Sequence, residues 1–158
     1  MELDQTDKKI IEILQENGRI TNNELAKQVG LTTTPTLERV KRLEKNGIIK
    51  GYTAWIDRQK VGKGLTVFCS IKLAVHQMQE MQGFSEHIAG IPEILACYNI
   101  TGEYDYLLHV IVKDTNEYEK LLRSKLTRIP GFEQIHTGIV LSVVKEQSKI
   151  SVLNDDKN

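Results

Sequence analysis

The spacing of apolar side chains divides the chain near residue 50. Before that point, apolar residues recur at helical spacing in three stretches, each of which ends at or near a glycine. The stretches are marked by Ile10, Ile11 and Leu14, by Leu25, Ala26 and Val29, and by Leu37, Val40 and Leu43. Because a short turn containing Gly30 separates the last two stretches, the pattern predicts a helix-turn-helix.

After a polar stretch at residues 58–64, the apolar period changes to two. Every second position from Val67 to Val75 is apolar, which is typical of a strand. We predict further strands at 94–101, 106–112 and 135–144, and two helices, around Phe84 and around Leu121. The resulting order βαββαβ indicates a ferredoxin-like domain with an antiparallel sheet, so the fold class is α+β.

These patterns predict four parts of the chain. Residues 1–50 form a helix-turn-helix DNA-binding domain, and residues 51–64 form an extended wing and linker. Residues 65–148 form the ferredoxin-like domain, and residues 149–158 form a flexible tail.

A run of threonines precedes the third predicted helix, which carries several basic residues. The N-terminal turn of such a helix lies near the bases in the major groove, where small residues allow close approach and threonine offers a hydroxyl group. Lysine and arginine neutralise phosphates, and a glutamate can accept from a cytosine amino group. The predicted DNA-contacting residues are Thr32, Thr33, Thr34, Thr36, Glu38, Arg39, Lys41, Arg42 and Lys45. The alternative is a solvated helix face that happens to be basic.

Charge supports this interpretation locally and not globally. The chain has 21 basic and 21 acidic residues, so its net charge does not indicate nucleic acid. Within residues 32–50, however, five residues are basic and two are acidic. No apolar run is long enough to span a bilayer, and the acidic N-terminus is unlike a signal peptide. We therefore expect a cytoplasmic, nucleoid-associated protein that does not bind a membrane.

Residues with catalytic or metal-binding chemistry are scattered. The four histidines form no helical pair, and Cys69 and Cys97 lack metal-ligand spacing, so we expect two buried thiols. No phosphate-binding loop or nucleophile motif is present. We expect no catalytic residue, no metal and no cofactor.

The chain resembles the Lrp/AsnC (feast/famine) family of transcriptional regulators over residues 2–148. The resemblance rests on "LDQTDKKIIEILQENGR", "NNELAKQVGL" and "RVKRLEKNGIIKGY" in the first half, and on "TGEYDYLL" and "TRIPGFEQIHTGIVLSVVK" in the second. It implies that the first domain is winged and binds double-stranded DNA. It also implies that residues 65–148 bind an effector and form dimers that assemble into larger rings, commonly octamers.

In this family, amino-acid effectors bind between subunits near the "TGEYD" turn, which implies a set of effector-binding residues here. They are Thr101, Gly102, Glu103, Tyr104, Asp105 and Thr137. The alternative is an ordinary hairpin turn, for which glycine and aspartate are common choices. The physical case for association is separate: a four-stranded sheet with both helices on one side leaves its other face uncovered.

The leading hypothesis is therefore a sequence-specific DNA-binding regulator whose oligomer responds to an amino acid or a related small molecule. One alternative is an architectural, chromatin-like DNA-binding protein without an effector. A second alternative, an enzyme, is a tetrapyrrole-processing decarboxylase of similar fold, although the apolar strands and the basic helix disfavour it.

Overall fold

A computed structural model describes residues 2–74, 78–129 and 131–153, and for residues 78–82 it describes the backbone only. These residues form two compact units. The described residues up to Trp55, together with those from Lys145 onward, form the first unit, and the described residues of Ile56–Val144 form the second.

The first unit contains three helices, which are α1 (Gln5–Glu16), α2 (Asn22–Val29) and α3 (Thr33–Lys45). Asp4 with Asp7, and Thr21 with Glu24, form capping boxes that satisfy the free N–H groups at the starts of α1 and α2. Aliphatic side chains from all three helices make one apolar core. Its buried members are Ile10, Ile11, Leu25, Val40 and Leu43.

Glycines in the left-handed conformation end α2 and α3. Gly30 has φ 73° and Gly47 has φ 70°, values that other residues rarely adopt. The N–H of Ile48 donates to the carbonyl of Leu43 at 3.0 Å and so closes the end of α3. The predicted helix-turn-helix is therefore confirmed. In the segment predicted to be a wing, residues 51–57 are assigned no strand.

The second unit is a four-stranded sheet with helices on one face. Its elements are β1 (Leu65–Leu73), α4 (Met78–Ala89), β2 (Ile94–Asn99), β3 (Tyr106–Val112), α5 (Thr115–Ser124), a 3-10 helix (Leu126–Arg128) and β4 (Phe132–Ile139). The strands lie in the order β2-β3-β1-β4, and every neighbouring pair is antiparallel. This is the predicted ferredoxin-like topology.

The two faces of this sheet differ in burial. Alternate residues of β1 and β3 pack against both helices, and the buried cluster includes Val67, Cys69, Ile71, Leu73, Leu108, Val110, Phe84, Ile88, Tyr118 and Leu121. On the other face, here called the open face, Phe68 is 38% exposed. Its ring stacks on His109 with 4.9 Å between the ring centroids.

Several boundaries differ from the prediction. The last strand ends at Ile139, which pairs with Val67 of β1, rather than at residue 144. One more backbone hydrogen bond follows it, because the N–H of Val140 donates to the carbonyl of Thr66 at 3.0 Å. Leu141 and Val144, which follow β4, are each 97% exposed. Val75, predicted to end the first strand, lies outside the described residues.

Two further predictions, for the cysteines and for the C-terminal segment, can be compared with the structure. Cys69 is buried as expected, whereas Cys97 on strand β2 is exposed, so the prediction of two buried thiols was wrong for Cys97. In the segment predicted to be a flexible tail, Lys149, Ile150 and Val152 make contacts with α1. The end of that segment, residues 154–158, lies outside the described residues.

Candidate nucleic-acid interface and ligand site

The threonines before α3 differ in what their hydroxyl groups do. Thr32 occupies the N-cap position, but its side chain makes no capping hydrogen bond. Thr33 donates to Oδ1 of Asn23 at 2.7 Å, which ties the start of α3 to α2. The side chains of Thr32 and Thr34 are exposed, so both remain available to a partner.

Thr36 does not belong to the exposed surface. Its side chain is fully buried, and its hydroxyl donates to the carbonyl of Thr32 at 2.9 Å. Thr36 shares the inward face of α3 with Val40 and Leu43, whereas Leu37 is only partly buried. The prediction that Thr36 contacts DNA is therefore corrected. The sequence pattern placed Leu37, Val40 and Leu43 on the inward face, whereas in the structure Thr36 is buried there with Val40 and Leu43.

Arg39 and Arg42 reach inward to α1. Arg39 Nη1 lies 2.6 Å from Asp4 Oδ2 and 2.8 Å from Asp7 Oδ1. Arg42 Nη2 donates to both carboxylate oxygens of Asp7, at 2.9 and 2.7 Å. The side chain of Asp7 is only 1% exposed, so its negative charge is buried and needs these partners. Both arginines, predicted as DNA contacts, thus join α3 to α1, while the side chain of Arg42 remains 48% exposed.

This ion cluster shifts the pKa values of two of its members, Asp4 and Arg39. The backbone N–H of Asp7 and the Arg39 guanidinium both donate to the Asp4 carboxylate and lower its pKa. The same carboxylates raise the pKa of Arg39. Asp4 and Arg39 are therefore both charged at neutral pH, and the hydrogen bonds of the cluster hold the two arginines in place.

The remaining predicted contacts form one line on α3. Thr34, Glu38, Lys41 and Lys45 are spaced by four, three and four residues, which places them on one side of a helix. All four are exposed. We call these four residues the exposed stripe. With Thr32 at its start, it presents hydroxyl groups first and lysines further along, which is the arrangement that a helix in the major groove needs.

The turn between β2 and β3 contains most of the predicted effector residues. Thr101, Gly102 and Glu103 are exposed, and Gly102 has φ 117°, which favours glycine. Asp105 belongs to the scaffold of this turn, because its Oδ2 accepts from the backbone N–H of Leu73 at 2.8 Å. Glu103 is therefore the acidic side chain of the turn that projects into solvent.

The strand β4 brings His136 to this turn and directs Thr137 elsewhere. The ring of Tyr104 lies 6.2 Å from that of His136, measured between centroids. Neighbouring residues of a strand point to opposite faces, and Thr137 pairs with Cys69 on the helix side. Thr137 was predicted as an effector contact and His136 was not. The register of β4 against β1 places the two side chains on opposite faces of the sheet, and one sequence does not reveal that register.

Thr137 takes part in a short polar chain inside the unit. Its hydroxyl lies 2.6 Å from the hydroxyl of Tyr118, which in turn lies 3.2 Å from the Cys69 sulfur. Burial raises the pKa of Tyr118 and that of Cys69, so both groups are neutral at physiological pH. This chain explains why a threonine occupies a helix-facing strand position.

Neither a cluster of metal ligands nor a membrane-spanning helix is found in the parts of the chain that the structure describes. There, no group of three or more histidine, cysteine, aspartate or glutamate residues is arranged to hold a metal ion. The described helices are also too short or too polar to cross a bilayer.

Comparison with known proteins matches both units. Residues 3–50 match a winged helix-turn-helix DNA-binding model, and residues 66–150 match the Lrp/AsnC ligand-binding domain. The chain belongs to the Lrp/AsnC family. It is therefore a transcriptional regulator with a DNA-binding and a ligand-binding domain, and not an enzyme, as predicted.

Relatives in this Lrp/AsnC family cover nearly the whole chain. The leucine-responsive regulatory proteins of Klebsiella pneumoniae and Escherichia coli K12 are each 39% identical over 151 residues, covering 96% of this chain and 92% of theirs. A transcriptional regulator of Neisseria meningitidis, solved as a complex with L-Met, has a TM-score of 0.90 and 34% identity, covering 94% of this chain and 96% of that one. An AsnC-family regulator of Agrobacterium tumefaciens has a TM-score of 0.89 and 33% identity, with the same coverage.

Proposed function

We propose that this regulator binds double-stranded DNA as a symmetric oligomer through the exposed stripe of α3 and responds to an amino acid beside the 101–105 turn. The proposal rests on the observation that the basic residues of α3 have two different roles. Arg39 and Arg42 are held by α1, while the exposed stripe is left to meet DNA. The proposed contacts are Thr32, Thr33, Thr34, Glu38, Lys41 and Lys45, and Arg42 adds to them through its exposed part.

The chemistry of the exposed stripe supports both affinity and specificity. Lys41 and Lys45 neutralise phosphates, which supplies salt-dependent affinity. Thr34 lies in the first turn of α3, where side chains of a recognition helix reach base edges. Glu38, one turn later, can accept from a cytosine amino group. Two copies related by a two-fold axis need half-sites about 34–36 Å apart, one turn of DNA, or a multiple of it.

The effector part of the proposal rests on the turn at residues 101–105. Glu103 is suited to an α-ammonium group, and the N–H groups around Gly102 to a carboxylate. The Neisseria relative was solved with L-Met, and the Klebsiella and Escherichia relatives are named leucine-responsive, which favours an apolar amino acid. Tyr104 and His136 line the side of the turn where such a side chain can lie.

The oligomer completes the proposal. The open face carries Phe68 and neighbouring side chains that one chain leaves partly exposed, and a second copy covers them. We propose a homodimer that assembles further, up to an octamer, and that acts on nucleoid DNA in the cytoplasm.

Thermal unfolding of the full chain against the twenty amino acids tests the effector. A ligand that binds only the folded state at about 100 times its dissociation constant stabilises it by about 2.7 kcal/mol. We expect one or a few apolar amino acids to raise the melting temperature. Glu103→Gln should abolish the response, and the matched change Glu133→Gln, at an exposed position of β4, should keep it. No response to any amino acid contradicts the effector proposal and favours an architectural role.

Salt titration of DNA binding tests the exposed stripe independently. Lys41→Ala should weaken binding and reduce the slope of log affinity against log salt by about one, as the loss of one phosphate contact requires. Lys120→Ala, an exposed lysine of α5, should leave the slope unchanged. Equal slopes for the two variants exclude Lys41 from the interface.

A further inference from the structure

Residues 146–152, here called the C-terminal strap, lie along helix α1 of the DNA-binding unit. The side-chain amide of Gln15 makes two hydrogen bonds with the backbone of Ile150. Its Nε2 donates to the carbonyl at 2.8 Å, and its Oε1 accepts from the N–H at 2.7 Å. The N–H of Val152 donates to Glu12 Oε1 at 2.8 Å. The strap therefore pairs its backbone with two side chains from successive turns of one helix.

Charge and apolar contacts reinforce this pairing. Lys149 Nζ lies 2.8 Å from Glu12 Oε2 and also pairs with Glu16. The side chain of Glu12 is only 11% exposed, although it is charged. Val152 packs against the apolar core of the three helices. Strap residues thus satisfy a largely enclosed carboxylate and extend the core of the DNA-binding unit.

The protonation of both ion-pair partners fits a docked strap at neutral pH. The Lys149 side chain and the Val152 N–H lower the pKa of Glu12 below its ordinary 4.5. Glu12 and Glu16 raise the pKa of Lys149 above its ordinary 10.5. The contribution of Glu12 is therefore lost as pH falls through its lowered value, and that of Lys149 as pH rises through its raised value. Between these limits the pair stabilises docking.

Helix α1 joins the strap to the recognition helix. In the C-terminal half of this helix, Glu12, Gln15 and Glu16 hold the strap. Near its N-terminus, Asp7 pairs with both Arg39 and Arg42. Asp4, which precedes the helix, pairs with Arg39. We propose that the C-terminal strap is a positioning element of the DNA-binding unit, which holds α1 and, through Asp4 and Asp7, the recognition helix α3. The proposal rests on the DNA-binding function of this family and goes beyond it, because it assigns a role in DNA binding to residues that follow the ligand-binding sheet in the chain.

Trp55, the only tryptophan, reports on the strap. It lines an open groove of about 430 Å³ together with Glu12 of α1 and strap residues that include Lys149 and Ser151. Its side chain is 65% exposed, so its fluorescence is sensitive to what lies in the groove. Release of the strap changes the surroundings of this ring without unfolding of the protein.

Amide hydrogen exchange on the full chain tests whether the strap is docked. The N–H groups of Ile150 and Val152 should exchange slowly, and Gln15→Ala should speed exchange at Ile150 about tenfold, because it removes two hydrogen bonds. Trp55 emission should shift in the same variant. Exchange of both amides at the rate of an unstructured peptide in the unaltered protein overturns the proposal.

DNA binding tests the positioning role. Lys149→Ala should weaken DNA binding several-fold with no change in salt slope, because the lysine contacts α1 and no phosphate. The control Lys145→Ala removes the same charge from a residue that makes none of the strap contacts described above, and it should leave affinity unchanged. A purely structural role would lower the melting temperature and leave affinity at 25 °C intact. Either that result or a reduced salt slope for Lys149→Ala overturns the proposal.

Discussion

At the scale of single residues, the carboxylate of Asp7 explains the two arginines of α3. It receives three hydrogen bonds from Arg39 and Arg42, although only 1% of its side chain is exposed. Leaving a buried charge without partners is costly, whereas an exposed arginine loses little when it turns to water. The stabilising role of Arg42 therefore outweighs its role as one phosphate contact among several.

We predict that Arg42→Ala lowers the free energy of unfolding of the DNA-binding unit by about 1–3 kcal/mol, the range for a buried polar group that loses a partner. Urea unfolding followed by Trp55 fluorescence measures this, because Trp55 belongs to that unit. The control Arg123→Ala breaks an exposed pair with Glu119 on α5 and should cost no more than about 0.5 kcal/mol. Unchanged stability of Arg42→Ala, together with a salt slope of DNA binding reduced by one, would show that Arg42 acts as a phosphate contact alone.

At the scale of elements, a threonine occupies the N-cap position of both α2 and α3, but its side chain does different things in the two helices. Thr21 caps α2, since its hydroxyl accepts from the N–H of Glu24 at 3.2 Å. Thr32 stands at the equivalent position of α3 and makes no such bond. A capping hydroxyl is held by its own helix, whereas one that does not cap can donate to a phosphate or a base.

The two threonines should therefore respond oppositely to alanine. Thr21→Ala should lower the free energy of unfolding by about 1 kcal/mol, as the loss of an N-cap does, and leave DNA affinity unchanged in folded protein. Thr32→Ala should leave stability nearly unchanged and weaken DNA binding. Urea titration and a DNA-binding assay on the same preparations separate the two effects. Equal loss of stability in both variants would contradict this assignment.

The order of the elements was predictable from the sequence, because periodicity, caps and glycine stops are local signals. The ends of α2 at Gly30 and of α3 near Gly47 were confirmed for that reason. Three features depend on partners distant in the chain and were missed: the burial of Thr36, the pairing of Arg42 with Asp7, and the position of His136 beside Tyr104. An isolated pattern on α3 cannot show which face α1 covers.

At the scale of the whole molecule, the helices among the described residues cover one face of the sheet of the ligand-binding unit and leave the other open. On the open face, the Phe68 ring stacks on His109 and is still 38% exposed. Beyond the end of β4, the apolar residues Leu141 and Val144 are almost fully exposed. Exposed apolar surface of this kind is typical of an interface between subunits. In the proposed dimer, a two-fold axis would place the same open face on both copies, so one substitution would act twice.

We therefore predict that Phe68→Lys shifts the protein toward the monomer, because it places two lysines, one from each copy, in an apolar contact. Sedimentation velocity over a range of protein concentrations measures the change, and we expect the apparent dissociation constant of the dimer to rise at least tenfold. Val61→Lys is the matched control, since Val61 is also apolar and 56% exposed but lies before the sheet. Loss of the dimer in Phe68→Lys should also lower DNA affinity, because a dimer binds two half-sites at once and a monomer binds one. If Phe68→Lys remained as oligomeric as Val61→Lys, the open face would be excluded as the dimer interface.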